Sequence, residues 1–145
     1  MIVHRLCKAA HVALDGEGAR LWGGRWNSAG RPMVYTAASP GLAVLEVLVH
    51  LDLPSTLLPD DYQLLAIEIP DDAPVHRIEP RPVTDAACRR AGDDFLTAGA
   101  ALVLMVRSVI VSQEWNMLLN PRHPAMSGVA ITRTDPFRFD SRLFP

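Results

Sequence analysis

Two short segments hold the side chains best suited to act on an anionic ligand. In LWGGRWNSAGRPMVYTA, residues 21–37, Arg25 stands between a glycine pair and Trp26, and Tyr35 follows the turn-forming NSAG. A guanidinium fork can grip phosphate or pyrophosphate at two points, and Gly23 and Gly24 let a ligand come close to the backbone. An ion pair across a hairpin, with Trp26 packed beside it, would use the same residues, and Tyr35 in an apolar strand reads equally as core. In SPGLAVLEVLVHL, residues 39–51, the one carboxylate is Glu46. On a helical wheel Ser39, Glu46 and His50 fall within about 20° of one line, because offsets of seven and eleven both return to one helix face. That stripe is either solvated surface or a carboxylate and an imidazole facing a cleft, and the helix alone does not decide.

Further along, Ser108 in RSVIV reads by default as a strand hydroxyl satisfied by backbone, and Asn120 before Pro121 as a turn residue. Neither the P-loop pattern nor GxGxxG occurs, so a nucleotide would be held by another device. Cys7 and Cys88 have no Cys or His at zinc spacing and read as reduced, part-buried apolar residues; no metal is expected.

The elements that must position these side chains belong to one domain, residues 1–145. A chain of this length buries about 68–70% of the surface its unfolded form exposes. Hydrophobic residues make up 49% and charged residues 21%, a globular balance that needs no disulfide or metal staple. The net charge of −2 and pI near 6.2, without a dense run of Lys and Arg, leave out the footprint of a nucleic-acid binder. His4, Arg5, Lys8 and His11 interrupt the N-terminal segment, so no signal-peptide core is expected there. ALVLMV is too short to span a bilayer; the expected location is the cytoplasm, with no membrane partner.

RPMVYTA after NSAG predicts a strand leaving a hairpin. Ser39 and Pro40 predict the N-cap and first position of a helix running to about Leu51 and stopped before Pro54. YQLLAIEI predicts a strand and VHRI another. From Thr84, apolar residues at 88, 91, 95 and 96 with Gly99 as stop predict a helix. ALVLMVRSVIVS predicts a buried strand broken near Arg107, and GVAIT and FRFD two short terminal strands. No regular βα alternation appears, which favours an α+β domain with a mixed, mostly antiparallel sheet.

In this order, GEGARLWGGRWNSAGRPMVYTAASPGLAVLEVLVHLD, YQLLAIEIPDD, SVIVSQEWNMLLNPRHP and PFRFDSRLF resemble the RES domain family over nearly the whole chain. The family's Arg, Glu and Ser correspond to Arg25, Glu46 and Ser108; Tyr35 and Asn120 match positions near its ligand site. The sequence departs from the pattern at Arg107 and Ser112, where many relatives have proline, and at Phe95, where tryptophan is usual. The resemblance implies a fold like diphtheria-toxin-type ADP-ribosyltransferases. It also implies the toxin half of a toxin–antitoxin pair, with an Xre-type helix-turn-helix antitoxin covering the active site and room for a homodimer within the complex. NAD is the implied substrate and inorganic phosphate the implied co-substrate, by phosphorolysis or hydrolysis. Glu46 would stabilise an oxocarbenium-like ribose, Arg25 grip phosphate, Tyr35 stack beside the nicotinamide or ribose, and Ser108 and Asn120 orient the ligand. Two alternatives stay open: transfer of ADP-ribose to a host protein, and a non-catalytic binding module in which Glu46 and Arg25 pair with each other.

Overall fold

Strand β1, Ile2–Lys8, runs inside the sheet between β2, Val34–Ala37, and β3, Tyr62–Glu68, antiparallel to both. The computed structural model describes residues 1–144. Beyond β3 lies β7, Ala130–Phe137; beyond β2 lie β6, Trp115–Leu119, then β5, Val103–Arg107, and β4, Val75–Ile78. The order is β4-β5-β6-β2-β1-β3-β7, and β4 with β5 is the parallel pair in an otherwise antiparallel sheet. A parallel pair needs a long crossover. Here that crossover is helix α3, Asp85–Ala98. The mixed, mostly antiparallel α+β arrangement is the one expected from the sequence.

Local signals set both longer helices. Helix α2, Pro40–Leu48, begins where Ser39 Oγ accepts from Leu42 N at 3.1 Å. It stops short of the expected Leu51, because the bonds of His50 N to Val47 O and Leu51 N to Leu48 O are i to i−3 and tighten the last turn. Thr84 Oγ1 caps α3 through Ala87 N at 3.1 Å, and Gly99, with φ 61, ends it in the left-handed region.

Three expectations differ from the structure. The residues before β2 form no hairpin with it: Glu17–Trp22 is a short helix, α1, followed by a tight turn bridged between Gly24 and Asn27, while β2 pairs with β1 and β6. In place of two terminal strands there is one, β7, paired along β3 with a register shift at Ala66/Ile67; it takes in only Phe137 of the expected FRFD strand, and 138–140 are not strand. Strands β1 and β6 were not anticipated, because His4, Arg5 and Asn116 interrupt their apolar patterns.

Alternate residues of each strand point to opposite faces. Val3, Val34, Leu65, Ile67, Val103, Met117 and Leu119 build the core on one face. On the other, Leu104, Val106 and Leu118 pack with Trp26, Met33, and Cys88 and Phe95 of α3. Both cysteines are free and buried. Phe95 fills its α3 position as a buried core ring, 6% exposed.

Candidate active site

The second sheet face opens into a cavity of about 420 Å³, within the size range of small-molecule sites. Its floor is a set of alternate residues on three adjacent strands: His4 and Leu6 of β1, Tyr35 and Ala37 of β2, Asn116 and Leu118 of β6. Register aligns them, since Ala37 pairs with both His4 and Asn116, and Tyr35 with Leu118. The α2 helix and the tightened turn after it form one wall through Ala43, Glu46, Val47 and His50, at i, i+3, i+4 and i+7. The stripe of Glu46 and His50 therefore faces a cleft. Ser39 does not join it; its hydroxyl donates to Glu114 Oε1 at 2.6 Å while capping the helix.

Glu46 is held from behind. Ser108 Oγ donates to Glu46 Oε1 at 2.9 Å, and Asn116 Nδ2 donates to the same oxygen at 2.8 Å. Ser108 is 2% exposed, and its hydroxyl oxygen also accepts from Ile110 N at 3.0 Å and Val111 N at 3.1 Å. The expected backbone satisfaction of Ser108 and its proximity to Glu46 are thus both present. Charge-assisted bonds of this kind fix a carboxylate firmly. Oε2 has no protein partner among the described residues and is the oxygen left for a ligand.

Arg25 reaches the cavity from a loop whose shape is set by packing. Asn27 is fully buried; its Nδ2 donates to Ala19 O and Arg31 O, both at 2.9 Å. Tyr35 Oη donates to Asn27 Oδ1 at 2.6 Å and accepts from Trp26 N at 3.1 Å. Burial pushes the Tyr35 phenol well above its ordinary range, so it remains a protonated donor. A Cβ on Gly24 would lie 2.5 Å from that hydroxyl, and one on Gly92 of α3 only 1.7 Å from Trp26 O. Gly23 and Gly24, expected to let a ligand approach the backbone, both line the cavity, and Gly24 also makes room for Tyr35 Oη. Asp93 of α3 accepts from Ser28 N at 2.9 Å and Ser28 Oγ at 2.5 Å, and Asp85 accepts from Arg25 Nη1 at 2.6 Å. Arg25 and Glu46 do not pair with each other: the partner of the first is Asp85, and those of the second are Ser108 and Asn116.

Asn120 is not brought to the cavity. It is buried beyond the far end of β6, its N–H donating to Leu102 O at 2.9 Å and its Oδ1 accepting from Arg122 N at 3.0 Å. It lies four positions beyond Asn116, about 13 Å along the strand. It is the turn residue that its place before Pro121 suggests. The asparagine at the site is Asn116, and only strand register separates the two.

His4, Arg5 and Arg107 also line the cavity without having been anticipated there. Arg107 keeps its strand geometry, paired in register with Trp115, stacking over that ring at 3.8 Å and bridging to Glu79 at 3.3 Å. Ser112 lies beyond the strand, exposed, and leaves β5 undisturbed. Arg25 and Arg107 line the cavity beside Glu46, each bridged to an exposed carboxylate, Asp85 and Glu79, while the Arg5 side chain lies on the other sheet face and donates to His11 O at 3.2 Å. A guanidinium held only by an exposed carboxylate can turn to an anionic ligand. Among the described residues no three His, Cys, Asp or Glu side chains converge as metal ligands, and no helix is long and apolar enough to cross a membrane.

Residues 2–140 match the family described as the RES domain. A Pseudomonas putida protein named Toxin Res is 40% identical over 99% of this chain and 100% of its own length. A Sphingobium protein named Prs ADP-ribosylating toxin is 37% identical over 90% of this chain and 86% of its own. Among solved structures, the M. tuberculosis MbcT-MbcA toxin-antitoxin complex contains a chain that superposes with a TM-score of 0.76 at 18% identity, covering 94% of this chain and 83% of that one. At that identity the likeness is one of fold.

Proposed function

This chain belongs to the RES domain family, and from that premise we propose that it is the toxin of a toxin–antitoxin pair and cleaves the nicotinamide–ribose bond of NAD. The relatives named as toxins support the first part. Glu46 carries the second: a single carboxylate, held through Oε1 by Ser108 and Asn116, with Oε2 free in an arginine-lined cavity.

The chemistry needs no more carboxylates than this. Glycosidases use a pair because their leaving group must be protonated. Nicotinamide in NAD is a cationic pyridinium, so the electron pair of the breaking C–N bond discharges it and it departs neutral. Positive charge then develops on the ribose, where Glu46 stabilises it electrostatically. With phosphate as acceptor, a phosphate oxygen bonds to the anomeric carbon and the products are nicotinamide and ADP-ribose-1″-phosphate. With water, the products are nicotinamide, ADP-ribose and one proton released to solvent. Arg25 grips phosphate, and Tyr35 presents its ring to the cavity while its hydroxyl holds the Arg25 loop. Ser108 acts on the ligand through Glu46.

Transfer of ADP-ribose to a protein side chain is the second reading, favoured by the Sphingobium relative's name. It uses the same bond cleavage with a different acceptor. The partner is an antitoxin of Xre type that covers the cavity, where Trp22 and Val109 are exposed beside the lining residues. The solved toxin-antitoxin complex containing a chain of this fold supports an antitoxin partner. The site of action is the cytoplasmic NAD pool.

Chromatography of NAD incubated with the folded protein, with and without phosphate, tests the proposal. ADP-ribose-1″-phosphate formed only with phosphate identifies phosphorolysis, and ADP-ribose in both mixtures identifies hydrolysis. Unchanged NAD in both, together with label from NAD on a protein target in lysate, selects the transferase. Unchanged NAD and no labelled protein would sink all catalytic readings.

A further inference from the structure

We infer that Asn116 is a positioning residue, retained at a cost in stability so that Glu46 presents Oε2 to the substrate. The inference rests on the proposed NAD cleavage. Asn116 contributes one hydrogen bond, from Nδ2 to Glu46 Oε1 at 2.8 Å. Its orientation is dictated by chemistry, because an ionised carboxylate only accepts and the amide must turn its NH₂ group toward it. That leaves Oδ1 buried with no donor in reach, the one such side-chain atom among the described residues. A buried acceptor left unpaired destabilises a fold.

The surroundings make the amide more anomalous. Asn116 pairs across the sheet with Ala37 on β2 and Val106 on β5, both buried and apolar. Folding alone would place a leucine or valine in this row. Ser108 approaches the same Glu46 oxygen from the loop after β5, so two donors from different elements converge on Oε1. Two donors define the carboxylate plane where one would leave it free to rotate, and a fixed plane aims Oε2 at one point in the cavity. Local rules broken without structural gain are the signature of a functional constraint.

Kinetics of Asn116→Leu and Asn116→Asp beside wild type, with thermal melts on all three, separate this role from a structural one. For Asn116→Leu the expected result is a melting temperature close to that of wild type, because the unpaired Oδ1 is removed along with one of the two donors to Glu46 Oε1, with KM for NAD within about twofold and kcat reduced roughly 10–100-fold, the scale of lost supporting bonds around a reactive group. Asn116→Asp keeps the shape but puts a second carboxylate against Oε1, so its kcat should fall further. A merely structural asparagine gives the opposite ranking: Asp mild, Leu severe, with activity following the melting temperature. Leu at wild-type kcat, or that reversed ranking, overturns the inference while NAD cleavage stands. Wild-type protein inert toward NAD overturns the underlying reading and the inference with it. Should Asn116→Leu not fold, Asn116→Asp decides: kcat within about threefold of wild type overturns the inference.

Discussion

The hydroxyl of Ser108 joins Glu46 Oε1 at 2.9 Å to two backbone N–H groups, those of Ile110 and Val111, within 3.1 Å. One oxygen atom thus shapes the turn after β5 and anchors the carboxylate 62 residues away. Ser108→Ala should therefore damage fold and activity together. Two part-buried donors lose their acceptor, a cost of about 1 kcal/mol, the low end for an unpaired group. Denaturant unfolding and NAD turnover on the same preparation check this; unchanged stability would mean that the turn does not depend on the hydroxyl.

Glu46→Gln separates the two effects. The amide keeps the shape, so stability should change by no more than about 0.5–1 kcal/mol. Loss of the charge that faces the developing cation should reduce turnover roughly 10²–10³-fold. Wild-type turnover by the folded variant would remove Glu46 from the mechanism.

In the proposed reaction Asp85 and substrate phosphate would compete for one guanidinium. The Asp85 side chain is 74% exposed beside Arg25, so Asp85→Asn should cost less than about 1 kcal/mol of stability. Freed from its counter-charge, Arg25 should bind phosphate more tightly, lowering KM by about fivefold at most, with kcat unchanged. Arg25→Lys should raise KM instead, because an ammonium cannot form the two-pronged contact. Initial-rate kinetics over a range of phosphate concentrations distinguish these; a higher KM in Asp85→Asn would show that Asp85 aims Arg25 and does not compete for it.

Gly24→Ala should loosen the Arg25 loop. The added methyl would sit 2.5 Å from Tyr35 Oη and 2.9 Å from Asn27 Oδ1, so the hydroxyl must leave its partners. Overpacking of this kind costs about 1–3 kcal/mol. Gly92→Ala, with a contact of 1.7 Å to Trp26 O, should be worse, since backbone cannot swing aside as a side chain can. Thermal melts give the order, and amide exchange over residues 23–31 should rise in both variants.

Burial holds His4 below its ordinary value of 6.5, so between the folded and unfolded values the unfolded chain binds more protons. Stability then rises with pH across that window. The contribution is fully present above about pH 6.5 and is lost as pH falls through the lowered folded value. From about pH 7.5 to about pH 5 the melting temperature of wild type should fall relative to that of His4→Gln. Parallel curves would place His4 in solvent.

Features that depend on neighbours in the chain were legible in the sequence. Ser39 with Pro40, and Thr84 with Gly99, mark helix ends through hydrogen bonds and backbone angles spanning three or four residues, and both helices stand where those signals put them. The mixed sheet followed from strands and helices in irregular alternation. The pairing of Arg25, Glu46 and Ser108 with one site came from the resemblance of whole segments, and their residue types alone left it open. Tertiary structure decided which polar side chains meet. Asn116 and Asn120 sit four apart in one polar-flanked apolar segment, and only the register of β6 on β2 puts the first under Glu46 and the second in a distant turn. Tyr35 reads as core or ligand platform until Gly24 is seen to vacate the space its hydroxyl fills. His4 and Arg5 hid β1 because they break its apolar pattern: His4 stands on the cavity floor, and Arg5 on the other face reaches out to His11 O. Short-range hydrogen bonding is written along the chain; contacts between strands some 80 residues apart depend on which face each strand buries, and that is settled only when the sheet closes.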